Sequence, residues 1–490
     1  MTLRCLFVDF NSYFASVEQY DRPALRDRPV AVVPVLARST CCIAASYEAK
    51  ACGIKTGTAV WEAQERCPEI EFVLARPARY VELHHILMAA IRDCIPTDGP
   101  PPSIDEVACR LIGRERRRET AEAIARSIKQ RLVELGLSPA IRCSIGIAPN
   151  RFLAKTASDM QKPDGLTVIE QADLPDRLHA LELRDLCGIG RSMEVRLRVA
   201  GLHTVQQLCA ASRKTLRIAW GSVEGERFWL QLRGLDVPER KTHRGSIGHS
   251  HVLGPELRSF DGCRAVLFKL LAKAAMRLRH EGYLASGMSL RIRFVGIDTR
   301  FERDTGFAPL DDTSSLLQLL AGQMAGLEAL AHRGRWSPTR HPPLSVAVTL
   351  VGLVERGAVT AELIDERRRA KALSGMLDRV NLRYGNNAVY FGAMQPALEA
   401  GAAPMRIPFS TIPDVALEED IVPVANGGTP APGPAGELMR PRLRQFKVLA
   451  QDTHRNARQA RKHRHQPSGA AGWSPAKAPD SRDGDLPGLF

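Results

Sequence analysis

Residues 3–18 read LRCLFVDFNSYFASVE, and their order of apolar, acidic and aromatic residues sets the start of the fold. An apolar run of this kind predicts a buried strand, which here ends on the carboxylate of Asp9. Tyr13 and Phe14 follow where a helix is expected to begin. An Asp at the end of a buried strand can face a cleft, although the same residue can start a turn or cap the next helix.

Strands and helices continue to alternate beyond this segment. Apolar runs such as PVAVV and RCSIGIA are separated by helical stretches such as ETAEAIARSIKQRLVELGL up to about residue 175. This order predicts an α/β or α+β fold. Residues 176–240 are helical and punctuated by Gly, and the polar, basic residues 241–250 are interpreted as a linker.

A second mixed region follows the linker. Residues 263–281 carry apolar residues at helical spacing. In MSLRIRFVG, apolar side chains alternate with Arg291 and Arg293, which predicts a strand with one apolar face and one basic face. Beyond about residue 418 the chain turns to Pro, Gly and Ala and then to a basic run, and we predict no ordered structure there.

Composition indicates the kind of partner. At 490 residues the chain is too long for one core and is expected to form three or four units. A net charge of +14 and a pI near 9.5 favour a polyanion, with nucleic acid ahead of an acidic membrane surface. The 11 cysteines include no Cys-x-x-Cys pair, which argues against disulfides or a zinc site. No signal peptide or membrane span is predicted, so the expected location is the cytoplasm.

Two adjacent carboxylates form a second chemical feature. Asp105 and Glu106 lie in PPSIDEVACRLIG, between a Pro-rich turn and an apolar strand. Adjacent residues of a regular strand point to opposite faces, so these two can share a site only at a strand end or a bulge. The alternative is a solvated acidic loop.

A third segment, CSIGIAPNRFLAKTASDMQKPDGLTVI at residues 143–169, connects these features. With VDFNSYFASVE, ASYEAKACGI, SIDEVACRL and LCGIGRS, it resembles the Y-family translesion DNA polymerases of the bacterial polymerase IV and V kind. The resemblance covers about residues 1–395. It implies an α+β, multi-domain right-hand polymerase with low-fidelity, template-directed activity in DNA repair and damage tolerance.

The resemblance also implies how the domains divide. The expected boundaries are palm and fingers at 1–175, a small helical thumb with a helix-hairpin-helix at 176–240, the linker at 241–250, an α+β little finger at 251–395, and an extension with a mostly disordered basic tail at 396–490.

The family's metal ligands can be carried over residue by residue. Its three carboxylates match Asp9, Asp105 and Glu106, and its main-chain ligand matches the carbonyl of Phe10. The implied cofactor is two Mg²⁺ ions. Nucleotide transfer to a primer end suits such a pair, about 3.5 to 4 Å apart, and Mg²⁺ prefers a few carboxylate oxygens together with phosphate and water.

The nucleotide-binding residues follow from the same motifs. Phe14 matches the steric gate, whose ring excludes a 2′-hydroxyl, and Tyr13 is expected to be a packing neighbour. Tyr47 and Lys50 match a triphosphate-binding pair, and their spacing of three places them on one helix face. Lys162 resembles a further phosphate contact. Ordinary core or surface roles are the alternatives.

DNA contacts are implied in two later regions. Gly188 and Gly190 resemble a helix-hairpin-helix, in which backbone amides can approach a phosphate. Arg291 and Arg293 would line the duplex from the little finger. An ordinary Gly turn and a solvated strand face are the alternatives.

The C-terminal end suggests a further partner. Leu486, Leu489 and Phe490 resemble the peptides by which bacterial polymerases bind the sliding clamp. The expected partners are therefore primer-template DNA, a dNTP and the clamp, with the chain itself a monomer.

Three residues differ from those most frequent in the family. Asn11 stands where many members have Asp, although polymerase V-like members also carry Asn. Ala44 stands where Thr is frequent, and Lys50 where Arg is more frequent than Lys. Lys lacks the bidentate fork of Arg, so we expect weaker nucleotide affinity rather than lost activity. Two other functions stay open. The first is a catalytically silent adaptor that binds DNA and the clamp, but such adaptors typically lack the metal carboxylates. The second is a basic nucleic-acid-binding protein without polymerase activity, a hypothesis that only the net charge supports.

Overall fold

The computed structural model describes residues 3–420, except for residues 39, 239, 241–242, 334–335, 338, 360–366 and 406–411. The predicted basic tail and the clamp-binding residues Leu486, Leu489 and Phe490 lie outside the described residues.

The first 170 or so residues form two sheets with helices around them. The elements are β1 (Cys5–Phe10), α1 (Tyr13–Asp21), β2 (Val30–Val33), β3 (Ala44–Ala45), α2 (Tyr47–Ala51), α3 (Val60–Arg66), β4 (Glu71–Leu74), α4 (Pro77–Arg92), β5 (Glu106–Arg110), α5 (Arg118–Glu134), β6 (Cys143–Ala148), α6 (Arg151–Met160) and β7 (Leu166–Val168). One sheet has the order β5-β1-β6-β7 and the other β3-β2-β4. The α+β fold is thereby confirmed.

Strand β1 is central in its sheet, between antiparallel β5 and β6. Alternate residues from Leu6 to Phe10 pack with α4 and α5, whereas Cys5 and Phe7 pack with α6 on the other face. All six residues are buried because both faces are covered, which explains a continuous apolar run instead of an alternating one. Asp9 follows Phe7 on the α6 face.

Helix α6 crosses directly over β6 at Gly146. A Cβ at this position would lie 2.0 Å from the carbonyl oxygen of Ala154 and 2.4 Å from the amide nitrogen of Ser158. The helix begins after Asn150, whose side chain accepts a hydrogen bond from the amide of Leu153 at 2.8 Å. The glycine therefore lets α6 lie close against the sheet, next to β1.

We expect Gly146→Ala to lower the free energy of unfolding by about 2 kcal/mol or more, because the added methyl group meets backbone atoms that no rotamer change can move. Urea titration of the purified variant measures this loss. The control is Gly375→Ala, where a Cβ has nothing within 4 Å; in a helix it is expected to stabilise by up to about 1 kcal/mol. Equal stability of wild type and Gly146→Ala would contradict the close crossing.

The predicted helical region contains short helices that complete the core on the α6 side of the sheet. They are α7 (Arg191–Val199), α8 (Val205–Ala210), α9 (Arg213–Trp220) and α10 (Glu224–Leu232). Leu197, Leu208 and Leu216 are fully buried in this core, and Phe228 packs edge-on against Phe152 of α6 at 4.9 Å between ring centroids. These helices are thus anchored to the same face of the sheet that carries Asp9.

The last region is built on a third sheet, of order β10-β9-β11-β8. Its elements and those that follow are β8 (Ser246–Val252), α11 (Phe260–His280), β9 (Tyr283–Phe294), β10 (Arg300–Leu310), α12 (Thr313–His332), β11 (Pro343–Glu355), α13 (Arg368–Tyr384), α14 (Gln395–Glu399) and α15 (Val415–Glu418). In β9, Leu290 and Ile292 are fully buried whereas Arg291 and Arg293 are exposed. The predicted helix at 263–281 and the strand with one basic face are confirmed.

Part of the predicted linker is a strand of this sheet. β8 begins at Ser246 and pairs with β11, with Ile247 opposite Leu350. Ile247 is buried in the core, while most other residues of the segment are polar. A single buried apolar residue in a polar segment is too weak a signal for a strand, so composition favoured a linker.

Residues 397–403 also contribute to this core. Ala397, Ala402 and Ala403 are buried against α11. The buried ammonium group of Lys269 donates to the carbonyl of Ala402 at 2.5 Å and pairs with Asp420 at 2.8 Å. The expected boundary at residue 395 therefore falls inside a packed unit. Among the described residues, no helix combines the length and apolar character needed to cross a bilayer.

Candidate active site

The three predicted carboxylates meet where β1 ends and β5 begins. Asp9 is paired in register with Glu106 across the two strands, and the amide of Phe10 donates to the carbonyl of Asp105 at 2.8 Å. Asp105 lies in the turn before β5, so the adjacent carboxylates are not forced onto opposite faces of a strand. The structure therefore brings all three acidic residues together where β1 ends and β5 begins.

These carboxylates repel one another. Burial raises the pKa of Asp105, and the charges of Asp9 and Glu106 raise it further. A hydrogen bond from Ser103 Oγ, 2.7 Å from Asp105 Oδ1, acts in the opposite direction. A cluster of carboxylate oxygens is a donor set that suits Mg²⁺, and a bound cation would relieve the repulsion. The residues present therefore fit a divalent metal site.

Two lysines offset part of the negative charge. Lys162 Nζ lies 2.7 Å from Asp9 Oδ1. Lys155, on α6, donates to Asp9 and lies 2.8 Å from Glu106 Oε1. Lys162 is one of the predicted phosphate contacts, whereas Lys155 was not predicted as a site residue from the sequence. The available signal was its i,i+4 spacing from Asp159 in AKTASD, which places a charged pair on one helix face.

Phe14 lies on α1 and is positioned by Tyr80 of α4. Their rings stack with centroids 4.5 Å apart at an interplanar angle of 13°. The Tyr80 hydroxyl donates to the buried carboxylate of Glu18 at 2.8 Å, and its carbonyl accepts from the hydroxyl of Tyr13 at 2.7 Å. Tyr13 is buried, in keeping with a packing role. Tyr80 was missed because the contact joins residues more than sixty positions apart in the sequence.

Tyr47 and Lys50 lie together on α2, as their spacing predicts. Lys50 Nζ is 4.4 Å from the centroid of the Tyr47 ring and donates to Ser12 Oγ at 2.7 Å. The Tyr47 hydroxyl is buried near Ser12 but has no hydrogen bond of good geometry within the described residues. Burial lowers the pKa of Lys50, and the nearby charge of Lys162 lowers it further. An unsatisfied hydroxyl close to two mutually repelling cations favours an anion at this point.

The predicted DNA-binding residues lie in two later parts of the chain, before α7 and on β9. Gly188 has φ +88°, which glycine adopts readily, and Gly190 immediately precedes α7. Both are exposed, and a Cβ on either would meet nothing within 4 Å. Arg291 and Arg293 point from the exposed face of β9, where Arg291 pairs with Glu302 at 3.2 Å. Backbone and guanidinium groups in these two regions are accessible to a ligand.

A separate group of metal donors lies beside the β3-β2-β4 sheet. Donor atoms of Cys52, Cys67 and Glu69 lie within 4.8 Å of one another. Burial, together with hydrogen bonding to Cys52 and Glu69, raises the pKa of the Cys67 thiol to about 12. Sequence spacing alone did not reveal this group, because its members follow no metal-binding motif.

Family profiles match most of the chain. The impB/mucB/samB family matches residues 8–159, and the C-terminal domain of the same family matches residues 244–363. A thumb domain described as that of DNA polymerase-iota matches residues 184–236.

Curated relatives and solved structures agree with these profiles. DNA polymerase IV of Pelotomaculum thermopropionicum is 32% identical over 398 residues, covering 79% of this chain and 94% of that protein. DNA polymerase IV of Moorella thermoacetica is 34% identical over 394 residues, with the same coverages of 79% and 94%. A solved Y-family DNA polymerase chimera, Dbh-Dpo4(243-245)-Dbh, shares the fold with a TM-score of 0.59 and 22% identity, over 72% of this chain and 99% of the chimera. The chain therefore belongs to the Y family of translesion DNA polymerases and is a DNA-directed DNA polymerase.

Proposed function

We propose that this polymerase extends a primer by a two-metal reaction in which Asp9, Asp105 and Glu106 hold two Mg²⁺ ions, with the carbonyl of Phe10 as a main-chain ligand. The observation that carries the proposal is the meeting of the three carboxylates at the β1 and β5 ends. When bound, the metal pair lowers the pKa of the primer 3′-hydroxyl and offsets the charge of the triphosphate. The reaction joins that hydroxyl to the α-phosphorus of a dNTP and releases pyrophosphate.

Tyr47, Lys50 and Lys162 bind the triphosphate in this proposal. The buried Tyr47 hydroxyl lacks a partner of good geometry, and the two lysine charges influence each other. A triphosphate would accept from the hydroxyl and remove the repulsion between the cations. Lys50 is also held by Ser12 at the start of α1, so triphosphate binding is coupled to the segment that carries Phe14.

Phe14 selects the sugar. Its ring is fixed from behind by the stacked ring of Tyr80, which in turn is anchored by the buried Glu18. A ring that cannot retreat excludes a substituent by steric conflict, which is a stronger source of specificity than a missing contact. The polymerase is therefore expected to use dNTPs and to reject ribonucleotides.

DNA is bound by two further regions of the chain. The amides around Gly188 and Gly190 contact backbone phosphates, as does the basic face of β9 with Arg291 and Arg293. These contacts carry no base information, which suits a polymerase that must accept damaged templates. The sliding clamp as a partner, the monomeric state and the cytoplasmic location remain predictions.

Primer extension tests this function. In Mg²⁺ the purified chain is expected to extend a primer on an undamaged template and past an abasic site, and EDTA should stop both reactions. No incorporation on either template, in Mg²⁺ or Mn²⁺, would contradict the proposal. The convergence of all three carboxylates leaves no observation in favour of a catalytically silent adaptor.

A further inference from the structure

Lys155 contacts three carboxylates of the acidic site, although the sequence predicted no role for it. Its ammonium group donates to Asp9, lies 2.8 Å from Glu106 Oε1 and lies 3.2 Å from Asp159 Oδ2. The side chain is 16% exposed. One cation therefore joins the proposed metal ligands of β1 and β5, and it reaches them because α6 crosses the sheet closely at Gly146.

The position of this ammonium group has an electrostatic reason. Asp9, Glu106 and Asp159 surround the ammonium group and offset the cost of its burial. A lysine side chain carries a positive charge at neutral pH. Opposite charges at such distances attract strongly where water is partly excluded, so Lys155 offsets the repulsion among the carboxylates.

Lys162 provides a comparison within the same site. It pairs with Asp9 and with Asp159, each at 2.7 Å. Among the described contacts, Lys155 alone of these two cations also reaches Glu106. Lys155 is thus the lysine that bridges the carboxylates of the two strands, where a divalent cation would bind.

We propose that Lys155 is the resident counter-ion of the metal-free site: it holds Asp9 and Glu106 together until a divalent metal binds, and metal binding then displaces it towards Asp159. This inference rests on the proposed metal site. Asp159 lies one helical turn further along α6 and is more exposed than the other two carboxylates, so it can keep the displaced ammonium group paired. Lys155 is therefore a positioning residue for Asp9 and Glu106, and its charge competes with the metal.

The test is Mn²⁺ binding by Lys155→Met, without DNA or nucleotide. Mn²⁺ titration followed by electron paramagnetic resonance is expected to show about tenfold tighter binding than wild type, because the competing charge is gone. In EDTA the variant is expected to unfold at a lower temperature than wild type. Saturating Mn²⁺ should recover most of that difference. Lys155→Gln tests the same loss of charge if the Met variant does not fold.

Three controls separate this role from a general loss of packing. Lys155→Arg keeps the charge and should bind Mn²⁺ as wild type does. Lys273→Met removes another buried lysine, 3.5 Å from Asp420 in the last region, and should lower stability equally with and without Mn²⁺. The double variant Asp105→Asn with Glu106→Gln should lose the Mn²⁺ signal, which shows that the signal comes from this site.

The outcomes distinguish this inference from the function on which it rests. Equal Mn²⁺ affinity of wild type and Lys155→Met, with the signal still lost in the double variant, would overturn the role of Lys155 and leave the metal site standing. No site-specific Mn²⁺ binding in either protein would overturn both. Tighter binding together with a stability loss confined to EDTA would establish the counter-ion role.

Discussion

Replacing Asp105 by Asn is expected to reduce the rate of nucleotide incorporation by about three orders of magnitude or more. Asn has almost the same shape and can still accept the hydrogen bond from Ser103 Oγ, but it lacks the charge that holds a metal. Loss of several kcal/mol of transition-state stabilisation corresponds to that factor. Single-turnover incorporation of a correct dNTP at saturating Mg²⁺ measures it.

A matched control is Asp93→Asn. Asp93 is an exposed carboxylate at the end of α4 that pairs with Arg131 at 3.1 Å. Exposed ion pairs contribute about 1 kcal/mol or less, so its rate should stay within about twofold of wild type. A folded Asp105→Asn variant that keeps more than a tenth of the wild-type rate would show that this carboxylate is not a metal ligand.

Replacing Phe14 by Ala is expected to lower discrimination against ribonucleotides by about a hundredfold or more, because a steric barrier is removed while the rest of the site is kept. The measured quantity is the ratio of kcat/KM for a dNTP to kcat/KM for the matching ribonucleotide. Incorporation of the dNTP should change much less than that of the ribonucleotide.

Tyr13→Phe is the control for this prediction. It keeps the buried ring and removes only the hydrogen bond to the Tyr80 carbonyl, so sugar discrimination should stay close to that of wild type. Unchanged discrimination in a folded Phe14→Ala variant would show that Phe14 is not the steric gate. A similar loss in both variants would point to disturbed packing between α1 and α4 instead.

Local patterns predicted much of the fold. The apolar run that ends at Asp9 is a strand because both of its faces are covered. Apolar residues alternate with Arg291 and Arg293 because only one face of this strand is buried. A continuous apolar run indicates a strand buried on both faces, and alternation of apolar and polar residues indicates a strand buried on one face.

Other parts of the fold depend on contacts that a local pattern does not contain. β8 is mostly polar and is held by backbone pairing with β11 plus two buried residues, Ile247 and His251. The segment around Ala402 is buried because Lys269, more than a hundred residues earlier, binds its carbonyl. Ile412 and Val415 pack against the core of the first sheet, which no pattern near the end of the chain indicates.

The candidate site divides in the same way. The sequence pattern marked Asp9, Asp105 and Glu106 as candidates, and the resemblance to the polymerase family assigned them as metal ligands. Lys155 and Tyr80 were not predicted, because their importance comes from what they touch. Lys155 is placed by the close crossing of α6 over the sheet, and Tyr80 is placed by a stack between two helices.

The proposed mechanism requires three carboxylates to hold two divalent ions beside the nucleotide. Anomalous diffraction from crystals of the polymerase with primer-template DNA, an unreactive dNTP analogue and Mn²⁺ tests it most directly. Two anomalous peaks about 3.5 to 4 Å apart are expected, in contact with Asp9, Asp105 and Glu106. A nucleotide bound without any peak at these carboxylates would contradict it.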